Sequence, residues 1–185
     1  MTTIFKKFAT GTAALALMTT VFATGAMADD VQSTITGGNM NITGVSASTF
    51  GDAVTLDGST QTVTGAAIST FNVTDARGTG AGWNVAVSAT PFLHNSNTKT
   101  LSAGSLTLAA PEVTKIDTNS SAETTVTPAS GPIDGGSVKV LSAEADGGMG
   151  SYTISAMAMS LELKPKEVYA GTYTSTVNVE LTTGP

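Results

Sequence analysis

Residues 157–164 read Met-Ala-Met-Ser-Leu-Glu-Leu-Lys, with Met157, Met159, Leu161 and Leu163 alternating with Ala158, Ser160, Glu162 and Lys164. Successive side chains of a strand point to opposite faces, so this period of two predicts a strand with one dry face and one wet face. The pattern returns at residues 83–90, where Trp83, Val85, Val87 and Ala89 oppose Asn84, Ala86, Ser88 and Thr90. At the C-terminus Tyr173, Val177, Val179 and Leu181 alternate with Thr174, Thr176, Asn178 and Glu180.

Working outward from these three, short runs rich in Val, Ile, Thr, Phe and Tyr continue along the chain. They predict strands over Val31–Thr36, Met40–Val45, Ala53–Leu56, Ile68–Thr74, Trp83–Ala89, Ser105–Leu108, Thr124–Thr127, Ser137–Ser142, Tyr152–Ser155, Met157–Leu163 and Tyr173–Thr182. Turn residues separate them: Gly37-Gly38-Asn39, Asp57-Gly58, Gly78-Thr79-Gly80, Asp134-Gly135-Gly136 and Asp146-Gly147-Gly148. Many short strands at this spacing predict an all-β fold, a single antiparallel β-sandwich of immunoglobulin-like or jelly-roll-like type. Pro111–Ser121 reads as a long loop, and Pro165–Gly171 as a loop with room for a helical turn.

Composition fits that fold. Of 185 residues, 41% are apolar, 12% charged and 5% aromatic, with no cysteine, one tryptophan and one histidine. The charged fraction is about half the usual ~25%, while Thr and Ser supply roughly a quarter of the chain. A β-branched hydroxyl residue suits the wet face of a strand without adding charge. The net charge of −6, with only 8 Lys plus Arg, leaves no basic footprint for nucleic acid.

The N-terminus reads as an address. Met1–Ala28 carries Lys6 and Lys7, an apolar stretch over residues 13–23, then Ala26-Met27-Ala28, the layout of a cleaved secretory signal peptide. Thr19, Thr20 and Thr24 interrupt the apolar stretch, which falls short of the ~20 residues of a membrane span. The expected mature domain is Asp29–Pro185, with 6 basic against 14 acidic residues and a net charge of −8. Nothing after Ala28 reads as a second span, there is no cysteine for a lipid anchor and Leu181–Pro185 carries no sorting motif, so a protein that stays on a cell is expected to be held non-covalently.

Catalytic chemistry finds little to use. A hydrolytic triad needs a histidine, and the one available, His94, sits in Pro91–Thr98 among Asn and Ser, where a solvated loop residue is expected. One histidine and no cysteine argue against zinc. Asp52, Asp57, Asp75, Asp117, Asp134 and Asp146 lie in or beside turns, which explains them as turn-forming side chains. Gly78-Thr79-Gly80-Ala81-Gly82 precedes a strand and carries no lysine, so it is a tight turn rather than a phosphate cradle. No enzyme, metal or cofactor is expected. Trp83, in phase with Val85 and Val87, reads as a core anchor.

The segments TLDGSTQTV, FNVTDARGTGAGWNVAVSATPF, GSLTLAAP, GMGSYTIS and YAGTYTSTVNVELTTGP together resemble the WxL domain family of Gram-positive cell-surface proteins, over essentially the whole mature chain. The family motif falls on Trp83, Asn84 and Val85, with valine in place of leucine. A second such motif falls on Val179, Glu180 and Leu181, where valine replaces the tryptophan, a departure that favours a core role at these positions. The terminal Y-A-G-x-Y-x-S-T element contributes Tyr169 and Tyr173. The resemblance implies a secreted protein of the Gram-positive surface, held at the cell wall by peptidoglycan or another wall polymer or by a companion surface protein. Trp83, Val85, Tyr169, Tyr173 and Leu181 are the implied binding positions. An alternative expectation is a subunit of an extracellular fibre or biofilm matrix, with Val31–Thr36 or Tyr173–Thr182 as the paired edge.

Overall fold

Two of the three alternating segments are strands over the predicted residues. In the computed structural model, which describes residues 31–185 except residue 97, Trp83–Ala89 and Met157–Leu163 are strands. The expected signal peptide, Met1–Ala28, lies outside the described residues. Contacts divide the chain into Met1–Thr34 and Ile35–Pro185, and every strand among the described residues belongs to the second unit. In chain order the strands are β1 (Met40–Thr43), β2 (Gln61–Ile68), β3 (Phe71–Asp75), β4 (Trp83–Ala89), β5 (Leu93–His94), β6 (Leu106–Leu108), β7 (Val113–Lys115), β8 (Val126–Pro128), β9 (Gly131–Pro132), β10 (Val138–Ala143), β11 (Gly150–Ile154), β12 (Met157–Leu163), β13 (Tyr173–Thr174) and β14 (Val177–Thr183).

They pair antiparallel in three four-stranded sheets, β1-β3-β11-β7, β2-β12-β6-β9 and β14-β4-β10-β8, with a small β13-β5 ribbon. The first two sheets share one register. Ile68 lies opposite Met157 in β2-β12, and Phe71 lies opposite Ile154 in β3-β11, three residues later in the sequence on one side and three earlier on the other. On the other side Leu108 faces Met159 and Val113 faces Ile154, again an equal step. Ala109 N–H to Ala158 O and Ser155 N–H to Glu112 O, both 2.9 Å, bridge the bend. These two sheets are halves of one long sheet bent at Ser69-Thr70 and Ser155-Ala156, and β14-β4-β10-β8 forms the opposing layer of the all-β sandwich.

The core fills the space between the layers. Trp83, Val85 and Val87 of β4 and Leu141 and Ala143 of β10 are fully buried, as are Phe71, Val73, Tyr152, Ile154, Met157, Leu106 and Leu108 of the bent sheet. Each buried aliphatic side chain contributes roughly 1.5–3 kcal/mol by leaving water.

Several expected strands differ, each for a physical reason. Val31–Thr36 and Ala53–Leu56 form no strand and, among the described residues, join no ladder, despite suitable side chains. Ile68–Thr74 is the junction of two strands, β2 and β3. The rest of β2 went unpredicted because a bulge at Thr64-Gly65, opposite Ser160, shifts its inward positions from Gln61 and Val63 to Ala66 and Ile68. Gly65 sits there at φ +100°, where a side chain would be strained. A second bulge in β10 buries the adjacent Val140 and Leu141. Pro111–Ser121, expected as a loop, contains β7. Thr124–Thr127 is a 3-10 turn at Glu123–Thr125 followed by β8, whose Pro128 is tolerated because the strand is an edge. Tyr173–Thr182 divides into β13 and β14, which join different sheets.

Candidate functional site

The motif residues fall in two places. The first is built by residues 75–83, Asp-Ala-Arg-Gly-Thr-Gly-Ala-Gly-Trp. Asp75 is buried, and its carboxylate takes Arg77 Nε–H at 2.8 Å on one oxygen and Arg77 Nη2–H at 2.8 Å on the other. This two-pronged bond holds the carboxyl below the usual aspartate range and raises the arginine further. The same guanidinium donates to Gly82 O and to Thr183 Oγ1, both at 2.8 Å, joining the end of β3 to the entry of β4 and the end of β14. Gly82, at φ +68°, has no room for a Cβ against Ala143 O. The turn therefore delivers Trp83 into the core, where its indole N–H donates to Gly148 O at 2.8 Å.

Trp83 and Val85 are fully buried, and Leu181, opposite Val85 in the β14-β4 ladder, is half-buried. The structure brings these three together, but none presents a free side chain. Other turn aspartates act locally: Asp57 and Asp117 accept from the N–H two residues on, at 2.9 Å and 2.7 Å. Asp134 does more. Buried beneath its turn, it accepts Gly104 N–H at 2.8 Å and Leu106 N–H at 3.0 Å, pinning the start of β6.

The second place gathers Tyr169 and Tyr173. After β12 the chain makes one turn, with Glu167 and Val168 N–H both bonded to Lys164 O. The Glu167 carboxylate accepts Ser102 N–H at 3.2 Å, and hydrogen bonding from the Ser102 side chain, with that backbone bond, holds it below the ordinary glutamate range. Tyr173 then enters β13 opposite His94 of β5. Its hydroxyl accepts Tyr169 N–H at 2.9 Å, closing the loop on itself. His94, expected to be solvated, is instead 5% exposed and works as a clasp. Its Nδ1 accepts Ser96 N–H at 3.1 Å, which leaves Nε2 to donate to Ala170 O at 3.1 Å. The imidazole also packs edge-on against the Tyr173 ring at 4.9 Å.

This loop forms one wall of a groove of about 770 Å³, within the range of small-ligand sites. The opposite wall is Phe50–Leu56, and the floor is Val63, Leu101, Leu161 and Leu163. Among the described residues, Asp52 is the only carboxylate in the lining. Tyr169 is 48% exposed at the rim, and the Lys99 ammonium lies 5.5 Å from its ring centre. An apolar floor, tyrosine faces and loop amides suit an uncharged, hydroxyl-bearing ligand. Phe50–Leu56 shows no sign of a site in the sequence, because Ala53–Leu56 reads as a strand and the facing wall, Val168–Tyr173, lies over a hundred residues away. Among the described residues, no three His, Asp or Glu side chains gather as a metal site, and no helix is long and apolar enough to cross a membrane.

No curated protein and no solved structure matches the chain. The family described as WxL domain surface cell wall-binding matches residues 22–185. That is a family of binding domains rather than enzymes, and it assigns a surface, cell wall-associated role. With its match running over nearly the whole chain, the protein belongs to the WxL family of surface cell wall-binding domains.

Proposed function

We propose that the domain is exported from a Gram-positive bacterium and held outside the cell by non-covalent binding of peptidoglycan in the groove between Tyr169–Tyr173 and Phe50–Leu56. The observation that carries this reading is Tyr169, half-exposed at the mouth of an apolar-floored groove, where its ring offers a stacking face for a sugar. Trp83, Val85 and Leu181 support binding indirectly, by packing the layer on which the loops rest. Weak contacts suffice, because a polymeric wall presents its repeating unit at high local concentration.

Co-sedimentation with purified peptidoglycan tests the reading. Wild-type protein should pellet with the wall, and Tyr169→Ala should bind roughly 10-fold more weakly, about 1.4 kcal/mol, with an unchanged circular dichroism spectrum. Equal binding by the variant would remove the groove from the mechanism. Folded wild-type protein left wholly in the supernatant would overturn direct wall binding and leave a companion surface protein as the anchor.

A further inference from the structure

Strand β14 lies at the edge of its sheet and, among the described residues, pairs with β4 alone. Its seven residues, Val-Asn-Val-Glu-Leu-Thr-Thr, contain one charge and no proline. Exposed edges of this length are normally blunted by lysines, prolines or bulges, because their free N–H and C=O groups template further pairing.

The direction of those free groups follows from the ladder. Thr90 N–H bonds Thr176 O at 3.0 Å and Gly184 N–H bonds Gly82 O at 3.1 Å, extending the register in which Val177 faces Ala89 and Thr183 faces Trp83. Bonded and non-bonded residues alternate in an antiparallel pair. The even-numbered residues of β14 are therefore bonded to β4, and Val177, Val179 and Leu181 turn their backbone groups to the open side. Their side chains are half-buried against the core, whereas Asn178 and Glu180 are exposed.

We propose that this edge is a homodimer interface, in which β14 pairs antiparallel with β14 of a second copy about a twofold axis at Val179. Odd residues must face odd residues for the outward groups to bond. With the axis at Val179, Val179 meets its own counterpart, Val177 meets Leu181, and Asn178 meets Glu180 twice. Every outward N–H and C=O of residues 177–181 then finds a partner, and each exposed carboxylate faces an amide donor. With the axis moved to Glu180, two carboxylates would stand opposite each other in a close non-bonded pair, about 4.5 Å between Cα atoms, a destabilising arrangement. The second copy is favoured as occupant because the strand is its own complement in both hydrogen bonding and charge. A twofold contact of this kind closes on itself, so this edge yields a dimer and not a fibre.

Analytical ultracentrifugation of the purified protein should show a monomer–dimer equilibrium that stops at the dimer. Val179→Pro removes an N–H that faces away from β4, so it should abolish the dimer while leaving the ladder within the protomer intact. Asn178→Glu, which needs no backbone change, should weaken dimerisation roughly 10-fold by placing carboxylate against carboxylate. Because the chain has no cysteine, the register can be read directly. An oxidised equal mixture of Asn178→Cys and Glu180→Cys proteins should give covalent dimers that neither variant gives alone. A wild-type protein monomeric at every concentration, assemblies growing past the dimer, undiminished dimer in Asn178→Glu, or covalent dimers from Glu180→Cys alone would each overturn the proposal.

Discussion

Trp83 and Tyr152 meet across the sandwich with ring centres 6.2 Å apart and planes inclined by 55°. Both polar tips hold the same stretch of chain. The indole N–H of Trp83 bonds Gly148 O at 2.8 Å, and the Tyr152 hydroxyl donates toward Ser121 O at 2.9 Å and Met149 O at 3.1 Å. Burial raises the Tyr152 pKa above its ordinary value, which keeps the hydroxyl a donor. The aromatic pair thus joins β4 to β11 and fastens the Gly148-Met149 turn from both sides.

Trp83→Phe should expose the importance of that fastening. It leaves Gly148 O without its donor and opens space where the indole was, for an expected loss of about 2–3 kcal/mol. Urea denaturation followed by circular dichroism measures it. A loss under about 0.5 kcal/mol would show that the turn holds itself.

The Asp75 carboxylate should make stability fall in acid. Its native pKa lies below the unfolded value of about 3.9, so its contribution is complete above that value and is lost as pH falls through the lowered native one. Asp75→Asn should cost about 2 kcal/mol at neutral pH, and the gap between variant and wild type should close below about pH 4. Denaturation midpoints at several pH values decide the matter, a constant gap being the contrary result.

Gly171→Ala, a change in the groove wall itself, should loosen the candidate groove by way of His94. Gly171 lies at φ +147°, and an added Cβ would collide with His94 Nε2, displacing the ring from Ala170 O and Tyr173. The expected outcome is a lowered melting temperature together with weaker retention on peptidoglycan. Unchanged wall binding would separate the clasp from the proposed site.

Asp134→Ala should strand the Gly104 and Leu106 N–H groups at the start of β6, one of them buried, at a cost of about 1–3 kcal/mol. Amide hydrogen exchange at Leu106 should accelerate in step with the loss of stability, and unaltered exchange would count against the pinning role.

The strands that could be read along the chain are those whose two faces differ without interruption. In Trp83–Ala89 and Met157–Leu163 each inward position is apolar from end to end, so local alternation and tertiary burial agree, except at Asn84, which is expected on the wet face but is buried with its amide donating to Gly184 O. In Gln61–Ile68 they do not, because the bulge at Gly65 exchanges the faces midway and mixes Gln, Thr and Ala into the pattern. Val31–Thr36 shows the opposite error: its side chains suit a strand, but among the described residues no neighbour bonds its backbone. Tyr169 and Tyr173 stand in the family's terminal motif, whereas Phe50–Val54 and Leu101, which help complete the groove, carry no motif.

What the amino-acid sequence determined alone was the all-β class, the inward faces of its regular strands, the turn that leads into Trp83 and the family, since these depend on local period, local backbone and residue order. Tertiary structure decided which strands share a sheet, that Ile68 to Phe71 and Ile154 to Met157 continue one register around a bend, and that two distant loops enclose a groove. Those relationships are pairings between residues far apart in the chain. A backbone hydrogen bond is available to almost any residue, so nothing in one segment specifies which partner will take it.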